Sequence, residues 1–267
     1  MKSDLQTRES TRDFQIYIIN MDRSPDRLDA MAKQLGTLEL QYERIPAVDG
    51  TALKMDDCEV QSVIDFDHWS RFHHRDALPA EIGCYLSHLR ALESFMNSGH
   101  KYGVILEDDA DISPALADVL EGLKNAGDQW DLVKLHSSHP GYQRTCADLG
   151  EGNRLTSFIT QTGRATGYVI SKKAVGRLYQ QLIPARLPFD HIFDRNFEHG
   201  LKLRGVMPMP LSNRPVISTI EVHRKKPRAR SLFPRKWGDP PLSKRWRVPF
   251  YRLWTETRRL YYNLVID

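Results

Sequence analysis

Short apolar runs exchange with longer segments whose apolar positions recur every three or four residues, the pattern of strands alternating with amphipathic helices. Residues 14–19 read as a first strand ending at Asn20, and Ser24-Pro25 as the start of a helix to about Leu35, with Leu28, Met31 and Leu35 on one face. Residues 38–45 read as a second strand, closed by the turn Pro46-Ala47-Val48-Asp49-Gly50. Residues 51–77 are polar and aperiodic and read as a long irregular excursion or lid. Pro79 opens a helix with Ile82, Tyr85, Leu86, Leu89, Leu92 and Met96 on its apolar face, while Glu81 and His88 share another stripe. A buried strand follows at 102–106, and Ser113-Pro114 reads as N-cap and first position of the next helix. Strands are expected at 131–135, at 156–160 and 165–170 around a turn, and at 201–207, before Pro208 and Pro210. Between the last two, Ser171 should cap a helix to about Leu182, and Pro184, Pro188 and Asp190 should open a short helix over 190–198. This alternation predicts an α/β fold with a mostly parallel central sheet. Ligands of such sheets bind outside the carboxyl ends of strands, where Asn20, Glu107-Asp108-Asp109 and His136 fall.

The run Tyr102-Gly103-Val104-Ile105-Leu106 ends in three consecutive carboxylates, Glu107-Asp108-Asp109. Adjacent negative charges repel, and hard oxygen ligands suit Mg²⁺ or Mn²⁺. Acidic residues after a strand also serve as solvated loop charges or favour a following helix's N-terminus. Asp111 is a weaker ligand candidate, since it stands near the next helix.

Composition adds to this picture. At 40% hydrophobic and 27% charged over 267 residues, the chain has an ordinary globular composition and length enough for a sizeable core. Three dispersed cysteines, Cys58, Cys84 and Cys146, argue against a disulfide framework or a zinc site and fit a reducing compartment. The first 13 residues lack the apolar core of a signal peptide, and no segment is apolar enough to span a bilayer, so a cytoplasmic location is expected. Charge is unevenly placed: residues 224–259 hold 13 Lys/Arg against 2 Asp/Glu, a net of +11, while residues 1–223 carry −6.

Five segments, in order, resemble the family-25 glycosyltransferases. They are Ile18-Ile19-Asn20-Met21-Asp22-Arg23-Ser24-Pro25-Asp26-Arg27, Ala47-Val48-Asp49-Gly50, Glu81-Ile82-Gly83-Cys84-Tyr85-Leu86-Ser87-His88, Leu106-Glu107-Asp108-Asp109 and Gly167-Tyr168-Val169-Ile170-Ser171. Several ordered motifs are far more specific than any one. Ala80 stands where the family usually has glycine, a change between small residues. The resemblance, over roughly residues 14–220, implies a GT-A-like nucleotide-sugar fold and an inverting transfer from a UDP-sugar, usually UDP-galactose. It implies Asp109 as ligand of Mn²⁺ or Mg²⁺, with Glu107 and Asp108 as uridine or ribose contacts. It also implies donor-binding roles for Asn20, Asp49, Ser87 and His88. Arg23, in the turn after the first strand, reads from its own position as a donor contact, to the diphosphate or uracil. Arg27, four residues after Arg23, reads instead as a surface helix charge paired with Asp22 or Asp26, and Lys134 as a solvated strand lysine or a phosphate contact.

Inversion requires a base for the acceptor hydroxyl's proton, from an element facing the metal site. Asp190, after Leu187-Pro188-Phe189, is the expected catalytic residue; its alternative role is an N-cap. His191 is the runner-up, and Asp194, one turn on, is expected to serve or to orient the acceptor.

Residues 1–222 are therefore read as the transferase domain and 223–267 as a basic aromatic tail. From Lys244 to Val265, Trp246, Phe250, Leu253, Trp254, Leu260, Tyr261 and Leu264 interleave with arginines at near-helical spacing. This predicts a helix at the anionic inner face of the cytoplasmic membrane, and with it a lipid-linked saccharide acceptor of the lipopolysaccharide or lipooligosaccharide type. Packing on the acidic body is the alternative; no nucleic-acid motif is present, so nucleic acid is not an expected partner. Two other classes share the acidic cluster: a noncatalytic saccharide- or nucleotide-binding module, and a metal-dependent phosphohydrolase, for which no nucleophile set assembles.

Overall fold

The computed structural model describes residues 13–73, 76–139, 141–214 and 247–266. Its centre is an eight-stranded sheet in the order β2-β1-β3-β8-β5-β9-β7-β6. β1 (Phe14–Asn20) and β3 (Tyr102–Glu107) are almost wholly apolar because both faces are covered. Successive side chains alternate between two cores. Tyr17, Ile19 and Ile105 enter one core with α4 (Pro79–Asn97) and α6 (Lys172–Leu182). Ile16, Ile18, Val104 and Leu106 enter the other with α1 (Pro25–Thr37) and α5 (Leu116–Ala126). Full burial of each such aliphatic side chain contributes about 1.5–3 kcal/mol.

The α/β alternation holds, but a mostly parallel sheet does not. β2 (Tyr42–Pro46), β1 and β3 are parallel, as are β5 (Leu132–Lys134) and β9 (Leu203–Met207). β8 (Gly167–Ser171) runs antiparallel to both β3 and β5, and β6 (Gln143–Gly150) and β7 (Asn153–Phe158) run antiparallel beside β9. No helix crosses over between β5 and β8; a hairpin does, and a hairpin reverses the chain. Its turn, Gly150-Glu151-Gly152, has positive φ throughout (84°, 51° and 77°), a conformation that glycine makes accessible.

Other boundaries differ for local reasons. Leu38 caps the C-terminus of α1, so β2 starts later than expected. The stretch read as irregular contains α2 (Cys58–Val63) and α3 (Phe66–His73). Asp57 caps α2 through the Glu59 N–H, and Val60, Ile64 and Trp69 are buried in the core. The Ser113-Pro114 segment does not start a helix. A short β4 (Ala110–Ile112) pairs with β10 (Leu211–Asn213), and α5 begins only at Leu116. The helix expected over 190–198 is two, α7 (Phe189–Phe193) and α8 (Asn196–His199). Ser171 occupies the N-cap of α6, yet its hydroxyl is buried without a partner.

The tail forms α9 (Arg247–Tyr261), extended by a π-turn over Tyr262–Ile266. Residues 244–246 of the expected helix and the 222/223 boundary lie outside the described residues. Among the described residues no helix is long and apolar enough to cross a membrane.

Candidate active site

The carboxyl ends of β1, β2 and β3 open into one cleft, lined by Arg23, Arg27, Asp49, Cys84, Ser87, His88 and the acidic triplet, among others. Parallel strands leave their ends on one side, which places these distant residues together. Two glycines set how close α4 comes. A Cβ on Gly83 would lie 2.6 Å from the Val48 carbonyl, and one on Gly50 would lie 1.8 Å from the Pro79 carbonyl. Without side chains, the 47–51 turn and the first half of α4 press together, so Cys84, Ser87 and His88 reach the cleft wall. Ser87 fixes the contact: its hydroxyl donates to Gly83 O (2.6 Å) and accepts from the Val48 N–H (2.8 Å).

The triplet's members differ sharply in their partners. Asp108 is buried and engaged at both oxygens, accepting from Asn20 Nδ2 at 2.7 Å and Arg27 at 3.2 Å. Glu107 meets His88 Nε2 at 3.2 Å and the Cys84 thiol at 3.7 Å. His88 is itself held by the Tyr168 hydroxyl (3.3 Å) and stacks on Phe189 at 4.1 Å. Burial pushes the Glu107 carboxyl up, but the His88 hydrogen bond and charge outweigh it and hold it below the usual range. Asp109 has the opposite balance. Its Oδ1 is buried and has no hydrogen-bond partner. Burial, then the Glu107 and Asp108 charges, push its carboxyl up to about 6, against weaker opposition from Arg27 and Arg164.

An orphaned buried carboxylate oxygen beside two more carboxylates fits a hard divalent cation. The Cys84–His88–Glu107 group, whose ligand atoms lie within 4.8 Å of one another, fits one less well. Burial and the Glu107 charge raise the Cys84 thiol well above its ordinary range, whereas a metal ligand must be thiolate.

The expected residues fall into distinct places. Arg23 and Asp49 form an ion pair on the cleft rim, and Asp49 caps the Gly50–Ala52 turn through the Thr51 N–H (2.9 Å). Asn20 lies behind the wall as a bracket, linking Asp108, the Ser24 carbonyl (2.9 Å) and Arg44 (3.1 Å). Arg27 is not a helix-surface charge paired with Asp22 or Asp26: it reaches Asp108, and Asp22 pairs with Arg44. Asp111 is exposed on β4, with Arg214 at 4.0 Å, and does not line this cleft.

Asp190 sits in the first turn of α7, half-buried and outside the cleft wall. It is not the N-cap, which is Pro188; its Oδ2 accepts the Arg164 N–H at 3.3 Å. Its charge acts on Cys84, so it belongs to the electrostatic surroundings of the cleft. His191 stands edge-on to His73, 5.1 Å between ring centroids. Asp194 is no acceptor contact. It is buried against Lys134 Nζ at 2.6 Å and accepts from the Thr162 and Gly163 N–H groups at 3.1 and 2.7 Å. Lys134 is correspondingly not solvated and does not line the cleft: it also donates to Thr162 Oγ1 (3.1 Å) and Gly163 O (2.7 Å).

This buried pair anchors the 162–164 loop, and the loop carries a residue the sequence did not single out. Arg164 is exposed, has φ 60°, donates its N–H to Asp190 and acts electrostatically on Glu107, Asp109 and His136. His136 Nδ1 is buried without a partner, and burial, then Arg164 and Lys134, hold its ring below the usual histidine range.

Comparison with known proteins adds independent findings. The family model described as Glycosyltransferase family 25 (LPS biosynthesis protein) matches residues 13–193. A Drosophila melanogaster protein named Glycosyltransferase 25 family member is 31% identical over 194 residues, covering 68% of this chain and 31% of its own length. Procollagen galactosyltransferase 1 of Danio rerio is 25% identical over 186 residues, covering 66% and 30%. A Bos taurus relative, Probable inactive glycosyltransferase 25 family member 3, is 26% identical over 129 residues, covering 45% and 21%. The chain thus spans no more than about a third of the length of these curated relatives.

Proposed function

Because this chain belongs to glycosyltransferase family 25, we propose that it is an inverting, metal-dependent hexosyltransferase of GT-A-like architecture, using a UDP-sugar, most simply UDP-galactose. The observation that carries the proposal is the buried, unpartnered Oδ1 of Asp109 at the mouth of parallel strands. Asp109 would hold Mn²⁺ or Mg²⁺, and the donor's diphosphate oxygens would share the ion. A bound divalent ion supplies Lewis-acid neutralisation of the departing diphosphate.

The chain's own residues supply the rest. Arg23 and Arg27 line the cleft and partly offset its carboxylates, Asp49, Glu107, Asp108 and Asp109, towards an anionic donor. Asn20 and Arg27 fix Asp108, and His88 fixes Glu107, so these carboxylates offer preset acceptors to ribose or uracil groups. In the transfer, the acceptor hydroxyl oxygen bonds to the anomeric carbon on the face opposite the nucleotide. The bond from that carbon to the diphosphate oxygen breaks, and UDP departs with the electron pair. Asp190 takes the hydroxyl proton, its carboxylate oriented by the Arg164 N–H.

For the acceptor we favour a lipid-linked saccharide of the lipopolysaccharide type, at the inner face of the cytoplasmic membrane. The family description and the exposed apolar face of α9 support this.

Turnover with a saccharide acceptor, read as UDP release, tests the base. Asp190→Asn is expected to retain Mn²⁺-dependent donor binding and to lose at least about a hundredfold in kcat, the usual scale of general-base contributions. Near-normal turnover would move the base elsewhere. Donor binding without turnover in the unmutated protein, across saccharide acceptors, would favour the noncatalytic module.

A further inference from the structure

Helix α9 is amphipathic in the reverse of the usual sense. The residues it turns inward are polar: Thr255, Arg259 and Asn263, at intervals of four, are buried. Asn263 Nδ2 donates to Phe158 O at 2.7 Å, and its Oδ1 accepts from Asn196 Nδ2 at 2.6 Å. Tyr251 extends this stripe and meets the Phe72 ring of α3 at 4.4 Å. The Arg258 and Arg259 guanidiniums lie over the Phe197 ring of α8 at 5.1 and 5.7 Å.

The outward stripe is apolar. Phe250, Leu253, Trp254, Tyr261 and Leu264 are each more than half exposed, and Leu260 is 40% exposed. Their spacing of three, four and seven residues makes one continuous face along the helix, broken only by Thr257. The Asn263 hydrogen bonds, the arginines over Phe197 and the Tyr251–Phe72 ring contact hold the helix to the body and leave its apolar stripe largely exposed. A contiguous face of this kind marks an interaction site.

Charge identifies the partner. Residues 224–246, which immediately precede the helix, carry nine Lys/Arg and one Asp, a net of +8. Pairing two copies along this stripe would bring two such charges side by side. An anionic bilayer meets the same charge with opposite sign and attracts it. Tyr and Trp on the stripe are the side chains that settle at headgroup depth.

We propose that α9 lies in the surface plane of an anionic bilayer, its Phe250–Leu264 stripe seated between headgroups and acyl chains. The inference rests on α9 and its preceding charge, and is independent of the donor chemistry. Through Tyr251 and Phe72, α9 touches α3, and through His73 and His191, α3 touches the helix that carries Asp190. α9 is thus joined through α3 to the helix that carries Asp190.

The test is co-sedimentation of the full chain with vesicles of phosphatidylcholine alone or with a quarter phosphatidylglycerol. Leu253→Glu combined with Trp254→Glu changes two exposed side chains, so the fold is kept, as an unchanged melting temperature would verify. The full chain should bind the anionic vesicles and not the neutral ones, and lose most binding in 0.5 M salt. The double variant should partition at least about tenfold more weakly, with its UDP-galactose and Mn²⁺ thermal shift unchanged. No sedimentation with anionic vesicles, equal binding by the variant, or a dimer in light scattering that the variant dissolves would each overturn the proposal, the last in favour of a second copy on this face.

Discussion

At the scale of single residues, three neighbouring carboxylates are driven apart by what surrounds them. Asp108 is engaged at each oxygen by Asn20 and Arg27, Glu107 is held ionised by His88, and Asp109 is left with an orphaned oxygen and a carboxyl pushed up to about 6. A carboxyl whose folded pKa is raised destabilises the fold once it ionises. Its cost is absent below about pH 4, grows as pH rises towards 6 and is complete above that. Asp109→Asn should therefore stabilise the metal-free protein at pH 7.5 by roughly 1–2 kcal/mol, and by nothing at pH 4; melting temperatures across that range would show it. An unchanged difference at both pH values would mean that Asp109 is not strained. The triplet was legible in sequence because like charges at a strand end are conspicuous. Arg27 was not, because its partner Asp108 lies 81 positions away and a nearer acid looked sufficient. Arg164 was invisible for the same reason: its place depends on how a loop is anchored.

At the scale of elements, the apolar runs and the faces of α1, α4 and α6 were readable because burial writes its period into the chain. Pairing direction was not. β8 is as apolar as its neighbours, and only the hairpin before it determines that it runs antiparallel. Glycines 150 and 152 mark that hairpin, a turn signal that identifies β6 in retrospect. The two short helices in the supposed lid were hidden by their polar surface; Trp69, fully buried, was the residue to weigh. The Lys134–Asp194 pair ties β5, the 162–164 loop and the α7–α8 junction together. Lys134→Met should cost about 3–5 kcal/mol, since it strands a buried carboxylate, and should lower kcat by loosening Arg164 beneath Asp190. Denaturant melts and turnover on the same sample would check both, and a fully stable variant would show that the loop does not depend on the pair. Gly83→Ala should likewise cost about 1–3 kcal/mol by forcing α4 off the 47–51 turn, with weaker donor binding; unaltered thermal stability would contradict the close approach.

At the scale of the molecule, β1, β2 and β3 gather the donor-side residues, while the Asp190 helix and α9 lie beyond them, on separate elements. The motif residues along the first half of the chain announced the donor side. The tail announced its charge, but its orientation came only with the fold: a polar stripe inward and an apolar one outward. The central claim is that this cleft holds a UDP-sugar through a divalent ion on Asp109. Calorimetric titration of UDP-galactose, with Mn²⁺ and with chelator, into the unmutated chain and Asp109→Asn addresses it most directly. The account predicts binding that weakens at least about tenfold when Mn²⁺ is removed, and no Mn²⁺ dependence in the variant. Equal affinity with and without Mn²⁺ in the unmutated chain would contradict it.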